Sequence, residues 1–179
     1  MITDQYIENV RFGHRKRWYL AYTKSKAERD VAFRLEQKGI FSYVPLQKVY
    51  RQWSDRKKKI EVPLFNSYVF INVCVKDYFK ALNTTGLVKF ISIDYKPVVV
   101  RESDIEKIKK TVARYTDIVV TQEKFKIGSR VEFIEGNMKG YTGLLVEYRG
   151  KSRVAVGLDS IDFSMLVEVP AHHIRLCKK

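Results

Sequence analysis

The chain has 179 residues, 45% of them hydrophobic, enough for one ordinary domain or two small ones with modest cores. A formal net charge of +14 points to an anionic partner, with nucleic acid and an acidic membrane surface as first candidates. No stretch reaches the roughly eighteen apolar residues that span a bilayer, and "MITDQYIENVRFGHRKRW" lacks the apolar core of a secretory signal. A soluble, cytoplasmic protein without membrane attachment is therefore expected.

The charge is uneven. Residues 1–60 hold 15 Lys and Arg against 6 Asp and Glu, and the remainder is nearly balanced, which places the partner-facing surface in the first third. Cys74 and Cys177 are far apart, in neither a zinc spacing nor a disulfide framework, and are expected to be reduced and structural.

In chain order, the aromatic-rich "RWYLAYT" (17–23) reads as a strand, and "SKAE" (25–28) has the Ser-x-x-Glu form of a capping box that opens a helix. Ala27, Val31 and Leu35 recur every four residues as its buried stripe, and Gly39 supplies the left-handed stop. A strand over 40–50 follows, then the basic loop "RQWSDRKKK", then a strand over 60–75, so the loop is the turn of a long hairpin. Pro63 makes the start of the returning arm an edge or a bulge. A short helix over 77–83 ends near Gly86, and "VKFISI" (88–93) is a further strand. "SDIE" (103–106) is a second capping box, opening a helix whose buried stripe is Ile105, Ile108 and Val112.

Strand, helix, strand, strand, helix, strand is the split βαβ order of a ferredoxin-like α+β domain, covering about residues 15–114. Residues 115–124 read as a linker. From 125 to 179, short β-rich runs separated by Gly, Asn and Asp turns predict a small β-barrel of about five strands. Val131, Phe133, Val154, Val156, Val167 and Val169, at alternating positions, favour a resident barrel.

Catalytic chemistry is not visible. His14, His172 and His173 have no nucleophile or carboxylate at a useful spacing, so no enzyme, metal or cofactor is expected. "GNMKGYTG" lacks the Lys-Ser/Thr ending of a phosphate loop and reads as a turn that needs left-handed residues. The loop "RQWSDRKKK" could be only a solvated hairpin tip, but five Lys and Arg in nine residues beside Trp53 favour nucleic acid, the cations gripping phosphate while the indole stacks on an unpaired base. Phe65, Tyr68, Phe70 and Phe90 would ordinarily be sheet core. Phe65 and Tyr68 fall on opposite faces by alternation, however, and helices cover only one face, leaving an exposed or docked aromatic surface.

"RWYLAYTKSKAE", "VPLQ", "PLFNSYVFI", "TTGLVKFI" and "KPVVVRESDIEKI" resemble, in order, the motifs of the NusG N-terminal (NGN) domain. "FKIGSRVEFIEGNMKGYTGLL" resembles a KOW motif, the SH3-like barrel of that family, with its central glycine at Gly140. The basic hairpin and "LDSIDFSMLVEVP" are similar to the specialised UpxY-type paralogs, antiterminators of long polysaccharide operons. The resemblance implies a monomeric transcription elongation factor that docks on the clamp helices of the largest RNA polymerase subunit and holds the clamp closed, making pausing rarer. Matched by motif, the docking patch comprises Tyr22, Phe65, Asn66, Tyr68, Phe90, Val99 and Ile105, with a bridge to the opposite lobe at Lys76 to Lys80. Upstream or non-template DNA would face Lys24, Arg34, Gln37 and Lys38, together with Arg51, Trp53, Arg56, Lys57, Lys58 and Lys59. The hairpin would then touch both partners. Where the family has Pro-Gly or Pro-Asn, this chain has Asn66-Ser67, a polar pair that can still make the turn. The barrel would recruit a second partner, ribosomal protein S10 or Rho. A housekeeping NusG acting with Rho and a KOW-containing ribosomal or RNA-binding protein are the alternatives.

Overall fold

The computed structural model describes residues 15–52, 57–123 and 128–177. His14, Trp53 and Arg56 lie outside the described residues, as do the side chains of Arg51 and Lys57. By packing, the chain divides into two compact units, Met1–Val44 with Phe65–Val100 and Pro45–Leu64 with Arg101–Lys179.

The first unit opens with β1 (Arg17–Thr23), α1 (Glu28–Gln37) and β2 (Phe41–Tyr43). The chain then leaves for the second unit through β3 (Leu46–Gln52) and β4 (Lys57–Pro63), and returns as β5 (Tyr68–Val73), α2 (Val75–Leu82) and β6 (Leu87–Phe90). A small hairpin, β7 (Ser92–Ile93) and β8 (Lys96–Pro97), precedes β9 (Val99–Val100). The sheet order is β2-β5-β1-β6, every pair antiparallel, with β9 continuing the β6 side of β1. This is the expected split βαβ sheet.

Local chemistry explains the element ends. Gly39, at φ +72°, stops α1, and the Ile40 N–H returns to the Leu35 carbonyl. The strand expected over 40–50 breaks into β2 and β3 at Val44-Pro45, since proline has no N–H for a ladder and its ring restricts the residue before it. The strand expected over 60–75 breaks likewise into β4 and β5, around a turn at residues 64–67. Neither Ser-x-x-Glu match caps its helix. α1 starts after Ala27 with no side-chain cap, and α3 (Glu102–Arg114) starts after Arg101, again without one. Acids from both sequences make long-range bonds instead: Glu28 accepts the Ser67 N–H, and Asp104 accepts from Ser160.

One core lies on the helix-covered side of the sheet, where Tyr19, Ala21, Val69, Ile71 and Val73 pack with Val31 and Leu35 of α1 and Ala81 of α2. The other side is not bare. Trp18, Leu20 and Phe70 are buried there, with the Phe65 and Tyr43 rings 5.4 and 6.4 Å from the Phe70 ring. The central strands are therefore closed on both faces.

In the second unit, β3 and β4 pair in continuous register from Leu46 opposite Pro63 to Gln52 opposite Lys57, so most of the basic loop is strand. α3 is grouped with the C-terminal strands rather than with the first unit. These are β10 (Val119–Thr121), β11 (Ser129–Phe133), β12 (Thr142–Tyr148), β13 (Lys151–Leu158), β14 (Phe163–Val167) and β15 (Ile174–Leu176), in the order β10-β14-β13-β12-β11-β15. Among the described residues, six strands stand where about five were expected. The extra one, β10, comes from the stretch read as linker, where the β-branched Val119, Val120 and Thr121 pair with Leu166, Met165 and Ser164. Val131, Phe133, Val154, Val156 and Val167 are buried, while Val169 lies beyond β14 and is half-buried. None of the described helices is long and apolar enough to cross a membrane.

Candidate docking and nucleic-acid surfaces

The residues expected to form the docking patch separate by burial. Tyr22 on β1 stands opposite Tyr68 on β5, their rings edge to face at 5.5 Å, and Tyr22 is 37% exposed. Asn66 is exposed, and Val99 is half-buried beside Tyr19 on the neighbouring strand. Phe65 (2% exposed), Phe90 (4%) and Ile105 (0%) cannot present their rings or methyls to a partner in this structure. The expectation is corrected for these three. The alternation argument left one sheet face for a partner, but Phe65 covers Phe70 there, and Phe90 stacks on Tyr78 at 4.3 Å beneath α2.

The turn that presents Tyr68 is fixed by its own bonds. The Phe65 carbonyl accepts the Tyr68 N–H at 3.3 Å, and Ser67 takes φ +64°, the place a glycine fills in a type II turn. Two further contacts hold Ser67: its N–H donates to the buried Glu28 carboxylate, and its carbonyl accepts the Thr23 N–H at 2.8 Å. The Asn66-Ser67 pair thus makes the turn without proline or glycine, and Glu28 supplies the missing constraint.

Lys24, Arg34 and Lys38 converge on the loop after α2. The Lys24 N–H donates to the Gly86 carbonyl at 2.8 Å, and Arg34 Nη1 to the Thr85 carbonyl at 3.1 Å. Lys38 Nζ donates to the Lys80 and Asn83 carbonyls and to Thr84 Oγ1, at 3.2, 2.9 and 2.9 Å. Its ammonium therefore caps the C-terminus of α2, where orphan carbonyls and the negative end of the helix dipole collect. As a free phosphate ligand Lys38 is corrected, because its three donors already have acceptors. Gln37, Lys76 and Lys80 are exposed.

On the hairpin, Lys48, Tyr50, Lys58 and Lys59 are exposed, and Lys59 Nζ lies 5.8 Å from the Tyr50 ring centre. Tyr50 carries no motif, so only the register identifies it.

The sheet order and the fixed turn match what the NusG resemblance implies, and a family model settles the assignment. The model described as transcription termination factor nusG matches residues 16–109, just over half of the chain. The chain belongs to the NusG family. It is 22% identical over 152 residues to the transcription termination/antitermination protein NusG of Chlamydia pneumoniae, covering 78% of this chain and 83% of that one. A solved structure of Thermotoga maritima NusG, described by its domain interaction, is 20% identical over 92% of this chain and 98% of that one, with a TM-score of 0.58. The fold is thus that of NusG, an NGN domain with a β-rich C-terminal domain, in a transcription termination/antitermination factor.

In the β-rich C-terminal part of this NusG-family chain, Gly136 and Gly140 take φ +71° and +85° around a 3-10 turn, a conformation that glycine adopts without strain. Gly143 on β12 has a different reason: an added Cβ would meet Val154 Cγ1 at 2.6 Å and the Ala155 carbonyl oxygen at 2.8 Å. A cleft of about 770 Å³ includes Arg130, Tyr141, Leu144, Ile161 and Phe163 in its lining. α3 is tied to the β13–β14 turn by the fully buried Asp104, whose Oδ2 accepts both the Ser160 N–H at 2.8 Å and the Ser160 hydroxyl. Lys107 bridges Asp104 and Asp159 at 3.3 and 2.8 Å. Burial raises the Asp104 pKa, but the Ser160 hydrogen bonds and the Lys107 charge more than offset it, leaving the carboxyl below its ordinary value. No group of three His, Cys, Asp or Glu able to hold a metal occurs among the described residues.

Proposed function

We propose that this chain is an elongation and antitermination factor that binds RNA polymerase, suppresses pausing or termination, and is specialised for long polysaccharide-biosynthesis operons. The observation that carries the reading is the Tyr22–Tyr68 pair, an exposed Tyr22 ring against a half-buried Tyr68 ring beside the exposed Asn66, on a turn that is already fixed. Two aromatic rings held together at the surface suit an anchor on an apolar helical tip, because rigid rings lose little entropy on docking. In this reading Tyr22, Asn66, Tyr68 and Val99 meet the clamp helices of the largest subunit, Lys76 and Lys80 face the opposite lobe, and the clamp stays closed. Lys24, Arg34 and the hairpin cations Lys58 and Lys59 face upstream or non-template DNA, supplying phosphate contacts without base readout. The barrel, through its cleft, takes a second protein, ribosomal protein S10 or Rho. The protein acts in the cytoplasm, as a monomer.

The density of cations on the hairpin favours the specialist over a housekeeping NusG. The deciding experiment is a pull-down on core RNA polymerase followed by single-round elongation with and without leader DNA. Binding with fewer pauses, dependent on the leader, supports the specialist. Leader-independent activity supports the housekeeping factor. Absence of polymerase binding together with binding to ribosomal RNA would leave a KOW-type RNA-binding protein instead.

A further inference from the structure

We propose that one face of the β3–β4 hairpin is a stacking platform for an unpaired base of single-stranded DNA, with Tyr50 as the ring and Lys59 as its cation. The inference rests on the transcription reading above and deepens it by naming the ligand and the residue that holds it.

Antiparallel register places Lys48 opposite Glu61 and Tyr50 opposite Lys59, on one face of the hairpin. The alternate positions Val49, Ile60 and Val62 are half-buried, so the two faces differ in kind. Tyr50 is 69% exposed and is the one aromatic group on its face among the described residues. An apolar ring in that position has no core to serve. A protein-binding hot spot needs an apolar surround that excludes water, whereas Tyr50 is flanked by Lys48 and Lys59 on a polar ribbon. A ring with a cation 5.8 Å from its centre fits a nucleobase better, since the base stacks on the ring while the ammonium reaches the adjoining phosphate. Across the strands Lys48 faces Glu61 while Lys59 faces Tyr50, so the Lys59 ammonium at the ring is the one placed to meet a phosphate next to a stacked base. Duplex DNA keeps its bases stacked inside and cannot use such a platform. A displaced non-template strand can.

The test is fluorescence anisotropy with the full-length chain and a labelled single-stranded DNA of about 16 nucleotides, the upper site size of a comparable platform. The expected result is preference for the single strand over the same sequence as duplex or as single-stranded RNA. Tyr50→Ala should then bind about 10- to 100-fold more weakly, Tyr50→Phe close to wild type, and Lys59→Gln with a log–log salt slope shallower by about 0.7. Unchanged circular dichroism of Tyr50→Ala checks its fold. If wild type binds the single strand and Tyr50→Ala binds equally well, the platform is wrong while the basic hairpin still contacts DNA. Equal or tighter binding of duplex or RNA overturns the ligand assignment. A wild-type chain that binds polymerase but no single-stranded DNA overturns the hairpin's DNA role together with the platform, and leaves polymerase docking standing.

Discussion

Removing the Asp104 carboxylate should cost more than any single surface change, and the part of that cost tied to its ionisation should be lost in acid. Asp104 is fully buried and accepts two hydrogen bonds from Ser160, with Lys107 at 3.3 Å. A hydrogen bond to a charged group contributes about 1.5–3 kcal/mol, and breaking a buried pair costs about 3–5 kcal/mol. Lys107 keeps Asp159 at 2.8 Å, so Asp104→Ala falls near the lower end, at about 3 kcal/mol at pH 7. Ser160→Ala removes the hydroxyl bond alone and should cost about 1.5 kcal/mol. Because the two residues share that bond, the double variant should lose about 1.5 kcal/mol less than the two losses combined. The pKa of Asp104 is lowered in the folded chain. Its contribution is therefore fully present above the unfolded carboxylate value of about 3.9 and is lost as pH falls through the lower folded value. Urea unfolding of the wild-type chain and the three variants at pH 7, and at steps below pH 4, reads both effects. Strict additivity of the two substitutions, or a wild-type advantage over Asp104→Ala that persists undiminished to pH 2, would refute the reasoning.

Three other predictions come from the same geometry. Tyr68→Ala should abolish polymerase capture while leaving the thermal midpoint near wild type, whereas Phe65→Ala should cost about 3–5 kcal/mol in urea unfolding, because its ring is core. Equal stability of the two variants would contradict the division between surface and core. Gly143→Ala should destabilise by about 1–3 kcal/mol, since its Cβ meets the Ala155 carbonyl oxygen at 2.8 Å and backbone cannot turn aside as a side chain does; an unchanged urea midpoint counts against it. Tyr95→Gly should stabilise by about 0.5–1 kcal/mol, because Asp94 and Tyr95 form the two-residue turn of β7–β8 at φ +48° and +61°, a geometry in which glycine is unstrained; a lowered melting temperature would show that the ring contributes to the fold.

Much of the architecture was legible because its signals are local. The Val31–Leu35 stripe, the stop at Gly39 and the alternating valines of β13 each report on neighbours within a few residues, and each marks an observed element. The capping boxes show where local reading stops. Glu28 and Asp104 have the spacing or setting of caps, yet bond to Ser67 and Ser160, 39 and 56 residues away, because a buried amide without a partner is costlier than a frayed helix end in water. The expected docking patch divides by burial for a related reason. Motif matching carries over positions without their burial, and so groups the buried Phe65, Phe90 and Ile105 with the exposed Tyr22 and the half-buried Tyr68. Lys38 illustrates the same limit for charge, since composition cannot tell a cation facing solvent from one enclosed by three acceptors. Tyr50 was overlooked because cross-strand register, which no single strand reveals, gives it its cation.

The carboxylate of Glu28 has a kinetic corollary. It pins the Asn66–Ser67 turn from within the same unit, so Tyr68 is displayed in one arrangement before any partner arrives. Encounter then requires no conformational search by the turn, and association is limited by diffusion and orientation instead of by loop closure. Loosening the turn through Glu28→Gln would act as a tax on the competent fraction, reducing apparent affinity in proportion to the time the turn spends elsewhere, without removing an atom from the contact surface.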